Sequence, residues 1–137
     1  MIALIQRVSR AEVAVAGSIV GRIDAGLLAL IGVERDDDEQ SAAKLLARVL
    51  AYRVFNGVEG RMNRSLTDTA GGLRPGFSSA AKPARAQGLF EHLVDLARHR
   101  HAAVESGRFG ATMQVSLVND GPVTFWLRVA PREAGRT

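Results

Sequence analysis

Few side chains in this sequence are spaced for catalysis. His92, His99 and His101 are its only histidines. His99 and His101 stand two residues apart and cannot share a helix face, which makes them a poor metal pair. Histidine near a helix C-terminus is favoured by the helix dipole in any case. No serine sits in a Gly-x-Ser-x-Gly elbow, and none has a placeable His/Asp partner. The absence of cysteine excludes thiolate nucleophiles, disulfides and cysteine zinc sites. The acidic run "ERDDDE", residues 34–39, lacks the spacing and the glycine of an EF-hand loop. It reads as a solvated, acid-capped helix start. The loops "GVEGRMNR" and "GGLRPGF" match neither a Walker motif nor Gly-x-Gly-x-x-Gly. They are plain basic surface loops or, through Arg61, Arg64 and Arg74, contacts to an RNA backbone.

One stretch remains, "GRFGATMQVSLVNDGPVT" at 107–124. Gly107 and Gly110 bracket Phe109 and let backbone approach something closely. Asn119-Asp120-Gly121 reads as a hairpin turn, with Pro122 opening the next strand because proline cannot donate to a ladder. The other reading is that Gly121-Pro122 presents its backbone to a ligand.

The elements that must position these residues follow from periodicity. "IALIQRV" and "EVAVA" read as strands separated by a bend at "SRA", and "IVGRI" at 19–23 as another. "GLLALIGV" at 26–33 is apolar enough to be buried on both faces. Asp36 with Glu39 resembles a capping box before a helix whose apolar stripe is Ala42, Leu45, Leu46, Val49 and Leu50. "YRVF" at 52–55 and "MNRSL" are short strand candidates. A second helix opens at Pro83, with the stripe Ala86, Leu89, Phe90, Leu93, Val94 and Ala97. "MQVSLV" and "VTFWLRV" close the sheet; Val123, Phe125, Leu127 and Val129 face the core, and Trp126 on the other face is free to meet a partner. The tail "PREAGRT" is expected to fray. From Asn56 to Lys82 there is too little strand for so long a segment, which marks either function or a misplaced element.

A chain of 137 residues, 47% of them hydrophobic, is expected to form a single domain over 1–137 with a real core. The N-terminal "MIALIQRVSR" places arginines where a signal peptide needs apolar residues, and no run is long enough to cross a membrane, so a cytoplasmic location is expected. Net charge is +4, but outside "ERDDDE" there are 17 basic and 9 acidic residues, a balance of +8. Sixteen of the 18 basic residues are arginine, whose fork suits phosphate. Codon bias would account for the same excess, so charge alone does not choose a polyanionic partner.

The chain resembles the D-aminoacyl-tRNA deacylases. The matching stretches are "MIALIQRVSRAEVAV", "GLLALIGVERDD", "GRMNRSL", "RPGFSSAA" and, most specifically, "GRFGATMQVSLVNDGPVT". They span nearly the whole chain in family order. The resemblance implies an α+β, mainly β fold, an antiparallel or mixed β-barrel-like sheet with two outer helices, assembled as a homodimer. It implies hydrolysis of the ester joining a D-amino acid to the 3′ end of tRNA, with glycine mischarged on tRNA-Ala as a second candidate substrate, and no cofactor, metal or membrane. Gly121 and Pro122 match a Gly-cis-Pro pair that crosses into the partner's pocket and occupies the place of an L side chain. Arg7 matches the arginine that holds this pair, and Phe109, Gly110, Ala111 and Met113 match the pocket wall. An aminoacyl ester is already activated, so positioning, backbone donors and the substrate's own 2′-hydroxyl suffice without a side-chain nucleophile.

The sequence departs from the family at one place. Members carry a strand with the motif S-Q-F-T-L between "GG" and "RP", whereas this chain reads "TAGGLRPGF" directly. In the family that segment supplies backbone donors and a hydroxyl to the pocket. Three explanations follow: a deletion in the sequence as read, a degraded relative that still folds, or a replacement strand drawn from 64–73. A catalytically impaired RNA-binding homodimer is therefore the alternative to an enzyme.

Overall fold

The computed structural model describes residues 1–57, 62–79, 82–107 and 111–131, the side chains at 63, 74 and 76–79 excepted. The elements in chain order are β1 (Ile2–Val15), β2 (Ser18–Ile23), β3 (Gly26–Val33), α1 (Glu39–Ala51), β4 (Phe55–Asn56), β5 (Met62–Arg64), α2 (Leu66–Thr69), β6 (Gly72–Ser79), α3 (Pro83–Arg100) and β7 (Met113–Arg128). The architecture is mixed α+β and mainly strand, a curled half-barrel sheet backed by helices.

β1 is the axis of the sheet. It runs unbroken through "SRA", pairs with β3 over its first half and β2 over its second, and pairs with β7 along nearly its whole length, antiparallel throughout. Alternation along the strands makes two unlike faces. On one face Ala3, Ile5, Leu27, Ala29, Ile31 and Leu127 pack against the stripes of α1 and α3. Both stripes are buried as their spacing requires. On the other, Leu4 lies between Leu30 and Trp126; Leu4 and Leu30 are only half-buried, and Trp126 is 60% exposed.

Several local expectations change. The expected hairpin at 119–122 does not form. Residues 113–118 and 124–128 run in the same direction, and both pair with β1 instead of with each other. A 14-residue β1 offers a ladder to both segments at once, which a hairpin between them could not use. "RPGF" is not a loop but part of β6, which lies parallel to β3 from Gly26↔Gly72 to Val33↔Ser79. Of the segment 64–73, Arg64 ends β5, Leu66–Thr69 form α2, and Gly72 and Leu73 open this strand, which 74–79 complete. The physical demand comes from β3, whose buried backbone N–H and C=O groups need ladders on both sides. Pro75 is tolerated because β6 ends the sheet order. Its start is steadied by Leu73, which donates to Ala103 O and accepts from Glu105 N. "MNRSL" is strand only to Arg64; Ser65 then caps α2, exchanging bonds with Asp68, whose carboxyl is lowered by the Ser65 backbone and hydroxyl donors. "YRVF" is strand only from Phe55.

The acidic run is not solvated throughout. Asp37 is fully buried, accepting from the Met1 ammonium at 2.7 Å and from Glu34 N at 2.7 Å. Glu34 accepts from Arg128 Nε and Nη2, both at 2.8 Å. With Asp37 drawn inward, the cap of α1 passes from the expected Asp36–Glu39 to Asp38, which accepts from Ser41 N at 3.0 Å. At the end of α3, His99 Nδ1 meets Asp95 O, and His101 is buried with Nε2 against Gly71 O.

A Cβ on Gly26 would meet Gly72 O at 1.9 Å, so β3 and β6 approach through bare backbone there. Gly26→Ala is expected to cost about 1–3 kcal/mol of stability, read from urea unfolding. A second prediction concerns acid. The Glu34 carboxyl lies below its usual 4.5, chiefly because Arg128 donates to it, with the Met1 ammonium adding to the effect. A depressed carboxyl stabilises the fold above the unfolded-state value and loses that contribution as pH falls through the folded-state value. Melting temperatures of the native chain and Glu34→Gln should therefore differ at pH 7 and converge below pH 4.5.

Candidate functional site

The ladder between β1 and β7 skips from Gln6↔Thr124 to Val8↔Asn119. One β1 residue, Arg7, thus stands opposite four residues of β7, Asp120 to Val123. Those four leave the sheet as an excursion carrying Gly121 and Pro122, whose peptide bond is cis. Pro122 has no N–H to return to the ladder.

Arg7 fills the gap. It is 8% exposed; Nε donates to Asp120 O at 3.0 Å and Nη1 to Val54 O at 2.8 Å. The planar guanidinium thus ties the base of the excursion to the segment between α1 and β4, a task for two separated donors on one rigid fork. Its approach to the Asp120 carboxylate, 3.5 Å from Nε, is secondary, because that side chain is 59% exposed. Tyr52 packs on Phe125 with ring centroids 5.2 Å apart and holds the Val54 segment against β7. On the far side of the excursion, Asn119 Oδ1 accepts from Val123 N at 3.2 Å, and its Nδ2 donates to Thr124 Oγ1 at 3.1 Å. Gly121 has φ +127°, a conformation that L side chains rarely adopt. A Cβ there would come within 2.7 Å of Val123 Cγ2 and 3.0 Å of Arg7 Nη2.

The fold brings Arg7, Gly121 and Pro122 together and separates from them the other candidates among the described residues. Met113 pairs with Val15 at the far end of β1. That is eight residues, or roughly 26 Å of extended strand, from Arg7. Ala111 precedes it, half-buried. Arg64 lies in β5 with Nη2 on Asp68 O at 3.1 Å. Arg74 sits within strand β6, opposite Leu28, and not in the loop expected of it. Phe109, Gly110 and Arg61 lie outside the described residues. The Val54 carbonyl and the Asn119–Thr124 pair were not singled out from sequence. The only signal was local, an amide and a hydroxyl flanking a proline in "NDGPVT". Among the described residues no group of histidine and carboxylate side chains is arranged to hold a metal ion, and no helix is long and apolar enough to cross a membrane.

What this arrangement offers to chemistry is backbone, held by one arginine and projected from a helix-backed half-barrel. Two solved structures share that architecture. One, described as a c-Myc DNA unwinding element binding protein, superposes with a TM-score of 0.92 at 27% identity, covering 95% of this chain and 99% of its own. The other, of a probable eukaryotic D-amino acid tRNA deacylase, gives 0.78 at 14% identity, covering 93% and 98%, and speaks for the fold alone. Sequence narrows the class. The profile of the D-Tyr-tRNA(Tyr) deacylase family matches residues 4–73 and 66–128. A D-aminoacyl-tRNA deacylase of Pseudomonas paraeruginosa is 57% identical over 143 positions, covering 93% of this chain and 99% of the relative. One from Escherichia coli is 52% identical over 145, covering 94% and 100%. The chain belongs to the D-aminoacyl-tRNA deacylase family, a family of ester hydrolases.

Gly121→Ala should destabilise the fold by about 1–3 kcal/mol through its backbone conformation. In ¹⁵N-labelled protein the displaced amide signals should be confined to residues near 120–123, Arg7 and Val54.

Proposed function

We propose that this chain hydrolyses D-aminoacyl-tRNA, with Gly121-Pro122 serving as the gate that rejects L-aminoacyl esters. The observation that carries this is the four-residue excursion opposite Arg7, a piece of backbone held at both ends and projected out of the sheet. Backbone set where an L side chain would lie excludes by shape and needs no side-chain pocket for each amino acid. Glycine has no side chain to exclude, so glycine on tRNA-Ala is a second substrate of the same gate. The reaction adds water across the ester and releases the D-amino acid and tRNA. The ester is activated, so the burden on the protein is to place the carbonyl against backbone donors and the terminal 2′-hydroxyl.

The gate acts in a second copy of this chain. Within one protomer Gly121 and the pocket-wall residues Ala111 and Met113 stand near opposite halves of β1, which supports a pocket completed by exchange between copies. The open face with Leu4, Leu30 and Trp126 is an apolar surface for such a partner. Arg61, Arg64 and Arg74 are the candidates for tRNA phosphates, and the cytoplasm, where charged tRNA is consumed, is the proposed location.

The alternative is a non-catalytic tRNA-binding homodimer. It is favoured by "GGLRP", in which one leucine alone separates "GG" from "RP", and by alignments to relatives that run over 143 and 145 positions against the 137 residues of this chain. Deacylation of D-Tyr-tRNA and L-Tyr-tRNA by the purified chain separates the two. Cleavage of the D ester well above its spontaneous rate, with the L ester spared and light scattering giving the mass of two copies, is the expected result. Salt-dependent tRNA binding without turnover of either ester would establish the alternative.

A further inference from the structure

We infer that Asn119 is the positioning residue that sets the excursion at its downstream end, with Thr124 as its anchor. This deepens the proposed gating role and rests on that reading. Arg7 holds only the upstream end, through Asp120 O. Downstream, the ladder does not resume until Thr124. Between these points Pro122 has no N–H to give. The Val123 N–H needs an acceptor, and the ladder gives Val123 no partner on β1. The Asn119 amide bridges that interval with both of its groups. Its oxygen takes the Val123 N–H at 3.2 Å and its NH₂ reaches the Thr124 hydroxyl at 3.1 Å.

The side chain therefore closes a ring across the base of the excursion, from Asn119 to Val123 and Thr124, and stands in for the missing backbone pairing. The group must accept from the Val123 N–H at one end, while at the other it meets a hydroxyl that can accept or donate. Asparagine just before Asp120-Gly121-Pro122 is then more than a turn former. It determines where the excursion comes back to the sheet, and hence how far Gly121 and Pro122 reach out of it.

The test compares Asn119→Ala, Asn119→Asp and Thr124→Val with the native chain, using two readouts, hydrogen exchange at the Val123 amide and the ratio of L-Tyr-tRNA to D-Tyr-tRNA hydrolysis. Asn119→Ala is expected to speed Val123 exchange by about three- to tenfold, the worth of one ordinary hydrogen bond. It is expected to raise the L-to-D ratio as well, with the melting temperature little changed. Asn119→Asp keeps an acceptor for Val123 N and lets the Thr124 hydroxyl turn to donate, so it should restore both readouts. Thr124→Val should fall between, and it carries the test if Asn119→Ala does not fold. An unchanged ratio in folded Asn119→Ala overturns the assignment, whatever happens to exchange, and so does an equal loss in Asn119→Asp. If the native chain cleaves neither ester, it is the deacylase reading that has failed, and Val123 exchange alone then decides whether Asn119 holds the excursion.

Discussion

Much of this structure hangs on a buried guanidinium. Arg7 lies in the middle of the central strand, two residues after the buried Ile5 on the same face, where an apolar residue would be ordinary. Burying such a charge is costly unless its donors are satisfied. Arg7 meets that demand with two carbonyls from distant parts of the chain, Val54 O and Asp120 O. The second is reached where β7 leaves the ladder, between Asn119 and Thr124. The same contacts thus satisfy the arginine and tie the loop after α1 to the break. Replacing Arg7 by a point charge would leave one carbonyl unserved, since a lysine has no fork to span them.

The sheet around that arginine is completed in an unexpected way. β3 has β1 on one side and needs a second neighbour. The segment "GLRPGFSS" supplies it in parallel, although it contains a proline and two glycines and has little strand propensity of its own. Its entry is possible because Gly26 and Gly72 face each other with no Cβ between them. Leu73 then joins the buried core between the sheet and the helices. A parallel partner for a buried strand is worth enough in satisfied backbone and covered apolar surface to override the local preference for a loop.

A second ionic cluster ties the beginning of β1 to α1 and the end of β7. The Met1 ammonium reaches Asp37, Glu34 and Val129 O, while Arg128 grips Glu34 and Arg48 donates to Arg128 O. These contacts fix one end of the β1–β7 ladder, where Ile2 pairs with Arg128, six residues of β1 from the skip at Val8↔Asn119. In the proposed gate, backbone has to be positioned by the whole sheet, because no side-chain rotamer can correct its aim.

Local order was legible in the sequence. The stripes of α1 and α3, Pro83 at the first turn of α3, the buried run of β3 and the alternation of Val123, Phe125 and Leu127 all follow from spacing, because each is set by neighbours within a turn or along a strand. Family membership was legible as well, through "GRFGATMQVSLVNDGPVT". Tertiary structure alone decided that 113–128 is one strand with an excursion and not a hairpin, that 72–79 enters the sheet, and that Asp37 turns inward while Asp38 caps the helix. Each of these depends on a partner far away in sequence: β1 for both halves of β7, β3 for β6 and the Met1 ammonium for Asp37. Strand pairing and ion burial are chosen by whichever distant groups remain to be satisfied, and no window of neighbouring residues contains that information.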